Sequence, residues 1–395
     1  MPLQAITNVR IKTITGPEIK RGVVLLEGGK IKAVAENLSI PSEAEVIAGR
    51  GWLLTPGIID AHCHLGIGEE GIGFEGEDYN EMTDPVTPHL RVIDGINPEE
   101  MGMLDAARNG ITAVCLAPGS ANVIGGQVAV VKTYGTVVDQ MVMRFPAGLK
   151  VAFGENPKRI YHNQKKMPMT RMGTAALLRE GLVKAENYQR KRAQAELDPE
   201  KYEERDLRWE ALVPVLRREI PLRAHAHRAD DILTAIRIAE EFGVEIVIEH
   251  CTEGHKIAEI LAEKGIPAVV GPSLSTRVKY ELREKTFATA GILARAGVRV
   301  ALMTDAPVIP IEHLPIAAGL AVRAGLPEEE AWRALTINPA AILKVDDRLG
   351  SIAPGKDADL VLWDGDPFDT RTWPRIVWID GRLIQDRRGR EPWRQ

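Results

Sequence analysis

Leu53-Leu54-Thr55-Pro56-Gly57-Ile58-Ile59-Asp60-Ala61-His62-Cys63-His64 is an apolar run with β-branched residues that ends in two histidines. Such a run predicts a buried strand. His62 and His64 are two apart and project from one face of that strand, while Cys63 points to the other. Two imidazoles side by side at a strand's end make half of a metal site, and the rest of the chain has to supply the other half.

Downstream the chain alternates strand and helix. Apolar strands are predicted at 222–227, 245–250, 267–271 and 298–305. Helical patterns at 231–242 and 254–264 are closed by Gly243 and Gly265, which read as C-terminal caps. Buried strands alternating with helices predict a parallel sheet with right-handed crossovers. Over nearly three hundred residues this becomes an α/β fold of the (β/α)8 TIM barrel type. The flanks have another texture. Short strands are predicted at 9–14, 22–27 and 30–34, with Gly28-Gly29 as a hairpin turn, and similar strands return at 358–363 and 376–383. The economical division is a small β-sandwich domain from residues 1–54 and 348–395, with the barrel, 55–347, inserted in it. Two stretches resist the scheme. Residues 120–148 hold β-like runs but no convincing helix, which leaves the third barrel strand unplaced. Residues 158–218, rich in Lys, Arg and Glu, read partly as a lid over the barrel mouth.

The 395 residues carry 50 Lys and Arg against 55 Asp and Glu, a formal charge of −5. That balance predicts neither a nucleic-acid partner nor a membrane surface. No apolar run approaches the ~20 residues of a membrane span, and the opening Met1-Pro2-Leu3-Gln4-Ala5 lacks the order of a signal peptide. Cys63, Cys115 and Cys251 are far apart, so a reducing, cytoplasmic setting is expected rather than a disulfide framework. The expected partner is a small-molecule substrate, and the expected assembly a homo-oligomer.

Four polar clusters fall at the C-terminal ends of predicted strands: His62 with His64, His225, His250 and Asp305. Barrel enzymes build their active sites at that face. Any one histidine there could be a partly buried ring bonded to backbone, but four clusters in register on one rim point to metal ligands. Lys150 lies in the apolar strand 148–154, where a free ammonium is costly unless paired. A buried lysine that loses its proton can react with carbon dioxide, and the carbamate can bridge two metal ions. The plainer reading of Lys150 is an ion pair across the barrel. Glu155 offers an unmodified carboxylate, or simply starts a helix.

Together these features resemble the amidohydrolase superfamily. The opening motif 55–64 and the closing Thr304-Asp305 match its pattern, and 336–340 and 350–360 are similar to its C-terminal signature. The resemblance covers essentially the whole chain and is greatest to imidazolonepropionase-related members. It implies that His62, His64 and Asp305 hold the more buried metal, that His225 and His250 hold a second, and that a carboxylated Lys150 bridges them. The Gly154-Glu155-Asn156 extension departs from that pattern and keeps Glu155 as the alternative bridge. His227, on the face of His225 but further out, is expected to contact substrate. One or two divalent ions are implied, Zn2+ first, with Mn2+, Fe2+ or Co2+ fitting similar sites.

The implied reaction is hydrolysis of an amide or cyclic amide C–N bond by metal-activated hydroxide, with Asp305 as general acid/base and His227 as an oxyanion partner. Dipeptides, N-acyl amino acids and imidazolones are the substrates considered. The alternatives are a heterocycle deaminase, which usually needs one metal and no bridging lysine, and a non-catalytic structural homologue, which would lack ligands that this chain retains. Tyr161 and Arg277 are further substrate-binding candidates, with His162, Arg171 and Lys279 behind them, although surface solvation explains each. The acidic loop 69–78 reads as a flap or a solvated loop, and His89, His255 and His313 as ordinary surface histidines.

Overall fold

A computed structural model describes residues 2–198, 201 and 203–389. Five strands open the chain: β1 (Gln4–Ile11), β2 (Ile19–Glu27), β3 (Lys30–Ala35), β4 (Glu45–Ala48) and β5 (Leu53–Pro56). Eight more follow: β6 (Ile58–Cys63), β7 (Ile111–Leu116), β8 (Ile124–Lys132), β9 (Val142–Ala152), β10 (Leu222–Ala226), β11 (Ile246–His250), β12 (Ala268–Val270) and β13 (Val300–Leu302). The last are β14 (Leu360–Trp363), β15 (Pro374–Ile379) and β16 (Arg382–Asp386).

β6 to β13 pair in chain order as one eight-stranded sheet. Its ends meet without a continuous ladder: the His64 amide donates to the Ala306 carbonyl at 2.8 Å, and the Thr304 amide and hydroxyl donate to the Asp60 carboxylate. The result is a barrel-like domain of mixed α and β. Side chains alternate as the pleat requires. Leu149, Val151, Leu222, Ala224, Ile246 and Ile248 face outward into the core shared with the surrounding helices, while Ala61, Val247, Val269, Ala301 and Met303 pack on one another inside. Burying each large apolar side chain stabilises by about 1.5–3 kcal/mol.

The expectation of an all-parallel sheet needs one correction, at 120–148. β8 runs antiparallel to both β7 and β9, whereas β9 to β13 are parallel to one another. The links 117–123 and 133–141 are shorter than the dozen or so residues that a parallel crossover needs, so the chain can only double back. The hard-to-place third strand is this reversed one.

The terminal strands form a sheet domain. They pair in the order β16-β15-β14-β5-β1-β2-β3 with β4 beside β1, and the apolar side chains of β2 and β3 share one core with those of β14 and β15. β5 pairs with both β1 and β14 and so welds the two ends of the chain into one sheet domain. Gly57 separates β5 from β6. A Cβ there would meet the Thr112 side chain at 2.1 Å, so only glycine lets the two domains approach this closely. The Gly28-Gly29 hairpin is present, with φ of 58° and 84° at its two residues.

In the segment read as a lid, the long helix Arg171–Leu197 buries Leu178, Leu182 and Ala185 against the outside of the barrel. Among the described residues, it is its forerunner, the helix Glu155–Asn163, that reaches the mouth, through Asn156, Arg159 and Ile160. Among the described residues, no helix is long and apolar enough to cross a membrane.

Candidate metal centre

At the C-terminal rim of the barrel two donor groups face each other. His62, His64 and Asp305 form one; His225, His227 and His250 form the other. In each, the donor atoms lie within 4.8 Å of one another. The Asp305 Oδ1 is 3.3 Å from Nε2 of both His62 and His64. The rings of His225 and His250 have centroids 4.2 Å apart, those of His227 and His250 4.6 Å.

Alternation explains His225 and His227, which share the inward face of β10 with Arg223. It does not explain His250. On β11 the inward residue is Glu249, and His250 should face the helices. Positive φ at His250 (68°) and Cys251 (50°) breaks the pleat, turning the ring inward and Cys251 outward. Asp305 also has φ of 57°. A positive φ in non-glycine residues is strained, and such strain gathers at functional sites.

Neighbouring groups orient three of the rings. The other ring nitrogens are held by backbone or hydroxyl partners: His64 Nδ1 by the Ala117 carbonyl at 2.7 Å, His250 Nδ1 by the Gly271 carbonyl at 3.0 Å, and His227 Nδ1 by the Thr252 hydroxyl at 2.8 Å. Fixing one nitrogen in this way leaves Nε2 as the free donor. Both nitrogens of His225 and Nε2 of His227 are buried with no hydrogen-bond partner, and so is Asp305 Oδ1. Buried polar atoms left in this state need an explanation, and a divalent cation supplies one.

The electrostatics agree. Burial, then the charges of His250 and His227, hold His225 well below the usual histidine value, and burial does the same to His227. Burial, only partly opposed by Asp305, pushes His250 down to about 3. These rings are neutral at pH 7, the state in which imidazole ligates. For Asp305, burial favours the neutral acid but is outweighed by His250, His62 and His64, which keep it a carboxylate.

Lys150 lies beside the first group, in the same cavity. Its Nζ lies 3.3 Å from His62 Nε2 and donates to Glu249 Oε2 at 2.8 Å. Glu249 also accepts from Arg223 Nε at 2.7 Å, and Arg223 reaches the Ala61 carbonyl across the barrel. Burial would raise the Glu249 carboxyl, but His62, Lys150 and Arg223 hold it well below the usual range. Glu249, Arg223 and Asp60 escaped the sequence reading. Two of them carried a signal, since Arg223 and Glu249 occupy inward positions on strands already predicted.

Several expected site residues lie elsewhere. Glu155 does not line the cavity; it starts a helix, and its amide donates to Glu281 Oε2 at 2.9 Å. Tyr161 is fully buried and donates to Asn122 Oδ1 at 2.6 Å, because the inner face of its helix needs a polar tip satisfied in the core. Arg277 turns outward to the Lys285 carbonyl. Lys279 does line the cavity, bonded to Asn156 Oδ1 (3.0 Å) and Glu281 Oε1 (2.8 Å). Glu281 Oε1 is in turn 3.6 Å from His227 Nε2. The cavity holds about 650 Å³ and exposes both donor groups on its floor. Tyr79 stacks on His64 at its edge, with centroids 5.3 Å apart.

A model of the amidohydrolase family matches residues 216–384. The crystal structure of an amidohydrolase from Thermotoga maritima MSB8 superposes with a TM-score of 0.94 at 48% identity, over 97% of this chain and 100% of that one. An amidohydrolase, tasK, of Hapsidospora irregularis is 31% identical over 91% of this chain, which spans only 39% of that longer protein. The imidazolonepropionase of Idiomarina loihiensis is 25% identical over 99% of both chains. The chain belongs to the amidohydrolase family. It is a hydrolase of carbon–nitrogen bonds other than ordinary peptide bonds.

Proposed function

We propose that this protein is a two-metal amidohydrolase acting on an amide or cyclic amide of a small molecule. The observation that carries the reading is the pair of three-donor groups, side by side and unpartnered, on the floor of one cavity. His225, His227 and His250 make a set suited to Zn2+. His62, His64 and Asp305 would hold a second ion, for which Zn2+, Mn2+, Fe2+ or Co2+ are all suitable. His227 is therefore assigned as a ligand, in place of the substrate-contact role expected from sequence.

When bound, such ions lower the pKa of a coordinated water and polarise the scissile carbonyl. The chain does the rest. Asp305, held ionised by the surrounding imidazoles, is placed to take a proton from the attacking water and to deliver it to the leaving nitrogen. Lys150 is the candidate bridge, supported by its place 3.3 Å from His62 in the lining of the same cavity. In carboxylated form it would link the ions, and unmodified it neutralises Glu249. The similarity to imidazolonepropionases makes a cyclic amide the first substrate to try, followed by dipeptides and N-acyl amino acids. Residues 1–54 with 348–395 as the second domain, a cytoplasmic setting and a homo-oligomer complete the proposal.

Metal counting on purified protein, joined to a hydrolysis screen over imidazolones, lactams, dipeptides and N-acyl amino acids, tests it. Two ions per chain and amine release are expected. One ion with ammonia release from a heterocycle would replace this reading by deamination. Asp305→Asn should keep the fold while lowering kcat by about a thousandfold or more, the scale of losing a group used in the transition state. Near-full activity would remove its assigned role. Lys150→Ala should lose metal occupancy, and short carboxylic acids should restore part of it; a variant that keeps both ions unaided rules out the bridge.

A further inference from the structure

Backbone or hydroxyl groups brace His64, His227 and His250, but His62 meets a carboxylate instead. Its Nδ1 is buried, makes no hydrogen bond to backbone or hydroxyl, and lies 3.1 Å from Glu249 Oε2. Two bare acceptors repel at that separation, so a nitrogen facing an ionised carboxylate carries the proton. Nε2 is then the lone-pair nitrogen, and it points into the first donor group, 3.3 Å from Asp305 Oδ1. Glu249 itself belongs to neither donor group and does not line the cavity.

The carboxylate is held in turn. Arg223 Nε donates to Oε1 at 2.7 Å and Lys150 Nζ to Oε2 at 2.8 Å. The other arm of Arg223 donates at 2.7 Å to the carbonyl of Ala61, the residue before His62. The pair thus grips the end of β6 twice, by the backbone at Ala61 and by the ring of His62. Neither side chain has exposed surface, so water does not compete for these contacts. We propose that Glu249 is a positioning residue for the first metal group: it fixes the tautomer and direction of His62 and strengthens that ring as a ligand. The proposal rests on the metal-centre reading above and extends it to a residue that touches neither ion nor substrate. Losing a carboxylate that supports a metal-bound imidazole typically lowers metal affinity by about 10–100-fold. A purely structural ion pair would instead tie β6 to β10 and β11 with no preference for one donor group.

Zinc-loaded protein carrying isotope-labelled histidine separates the two roles without turnover. Proton–nitrogen correlation spectra should show His62 with a protonated, strongly downfield Nδ1 and a zinc-bound Nε2. In Glu249→Gln the proton signal should move upfield, because an amide cannot present acceptors to Arg223 at one end and to His62 at the other. Competition with a chromophoric chelator should show one zinc site weakened about 10–100-fold and the other within a small factor of the parent. Arg223→Lys keeps the carboxylate and a cation. It should lower the urea midpoint yet leave the His62 signal and both zinc affinities close to the parent's. Equal weakening of both sites in Glu249→Gln, zinc affinities unchanged there, or a parent His62 that binds zinc through Nδ1 overturns the proposal. The parent spectrum decides the last point even if Glu249→Gln does not fold. A parent that takes up no zinc at the first group removes the metal-centre reading, and this proposal with it.

Discussion

By strict alternation along β11, the residue facing the barrel axis is Glu249 and the one facing the helices is His250; the fold needs both inside. Glu249 must reach Lys150 and Arg223, and His250 must reach the metal groups, so the backbone turns through positive φ just after Glu249. A sequence pattern shows that His250 ends a strand. It does not show that the strand has to break its own period, and this is why Glu249 stayed hidden. Tyr161 and Arg277 illustrate the converse: polar residues near a mouth in sequence, with tips that find partners in the core or on the surface. The three rings of the second group give a testable pH dependence. His225, His227 and His250 have folded values below the ordinary 6.5, so the unfolded chain takes up protons first as pH falls. Their contribution is present above 6.5 and is lost towards lower pH, by about 1.4 kcal/mol per pH unit for each ring. For His62, burial would lower the value but Glu249 raises it, so its contribution is instead lost as pH rises above the ordinary value. Chelator-treated protein should therefore be most stable somewhat above pH 6.5, because three lowered rings outweigh one raised ring there, and its urea midpoint should drop clearly by pH 5, where most carboxylates are still ionised. A midpoint that stays flat between 6.5 and 5 would show that these rings do not stay neutral in the folded chain.

The turn between β9 and the helix Glu155–Asn163 acts at the scale of elements. It carries the chain from Lys150, inside the barrel, to Asn156 and Arg159 on the wall within a few residues. Gly154 makes this possible with φ of 83°. A Cβ there would lie 2.6 Å from Glu281 Oε2 and 3.2 Å from Asp231 Oδ2, so the glycine also makes room for the carboxylate that caps the helix amide. Gly154→Ala is expected to destabilise by about 1–3 kcal/mol from the backbone conformation alone. It should also displace Glu281, lowering kcat/KM through Lys279 and His227. Denaturant melts and steady-state kinetics on the same preparation check both, and an unchanged midpoint would mean that the turn relaxes freely. The strand–helix alternation after residue 222 was legible because its strands are short and apolar and its helices are closed by glycines. The reversed β8 was not, because period-2 patterning carries no direction and only the shortness of the flanking links betrays it.

The two domains are joined through the far end of β8, away from the metal groups, by a buried cluster of charge. Lys132 Nζ lies 3.2 Å from Asp357, 2.7 Å from Asp359 and 3.0 Å from Asp380, while Lys30 and Arg348 also pair with Asp357. Asp357 and Asp359 are almost fully buried, so their charges are unscreened by water. Burial would lower the Lys132 value, but the three carboxylates raise it, so the ammonium stays charged. One lysine on the reversed strand thus ties the barrel to strands from the other end of the chain. An all-parallel barrel strand at this position would arrive from the opposite direction and present its last residue at the metal rim instead. Lys132→Met removes the cation that, among the described residues, all three carboxylates share, and leaves Asp359 buried without its partner. A loss of about 3–5 kcal/mol is expected, the usual consequence of breaking one side of a buried ion cluster. Adding Asp359→Asn to Lys132→Met should restore part of it, because the two residues are in contact and their effects are not additive. If the clamp couples the domains, the single variant should also unfold in two steps, with the sheet domain lost before the barrel, while metal content and turnover persist at low denaturant. With Trp209 and Trp332 of the barrel replaced by Phe, tryptophan fluorescence reports the sheet domain through Trp378, buried within it, and bound metal reports the barrel. Coincident transitions with a midpoint near that of the parent would show that apolar contact between the domains, rather than Lys132, holds them together.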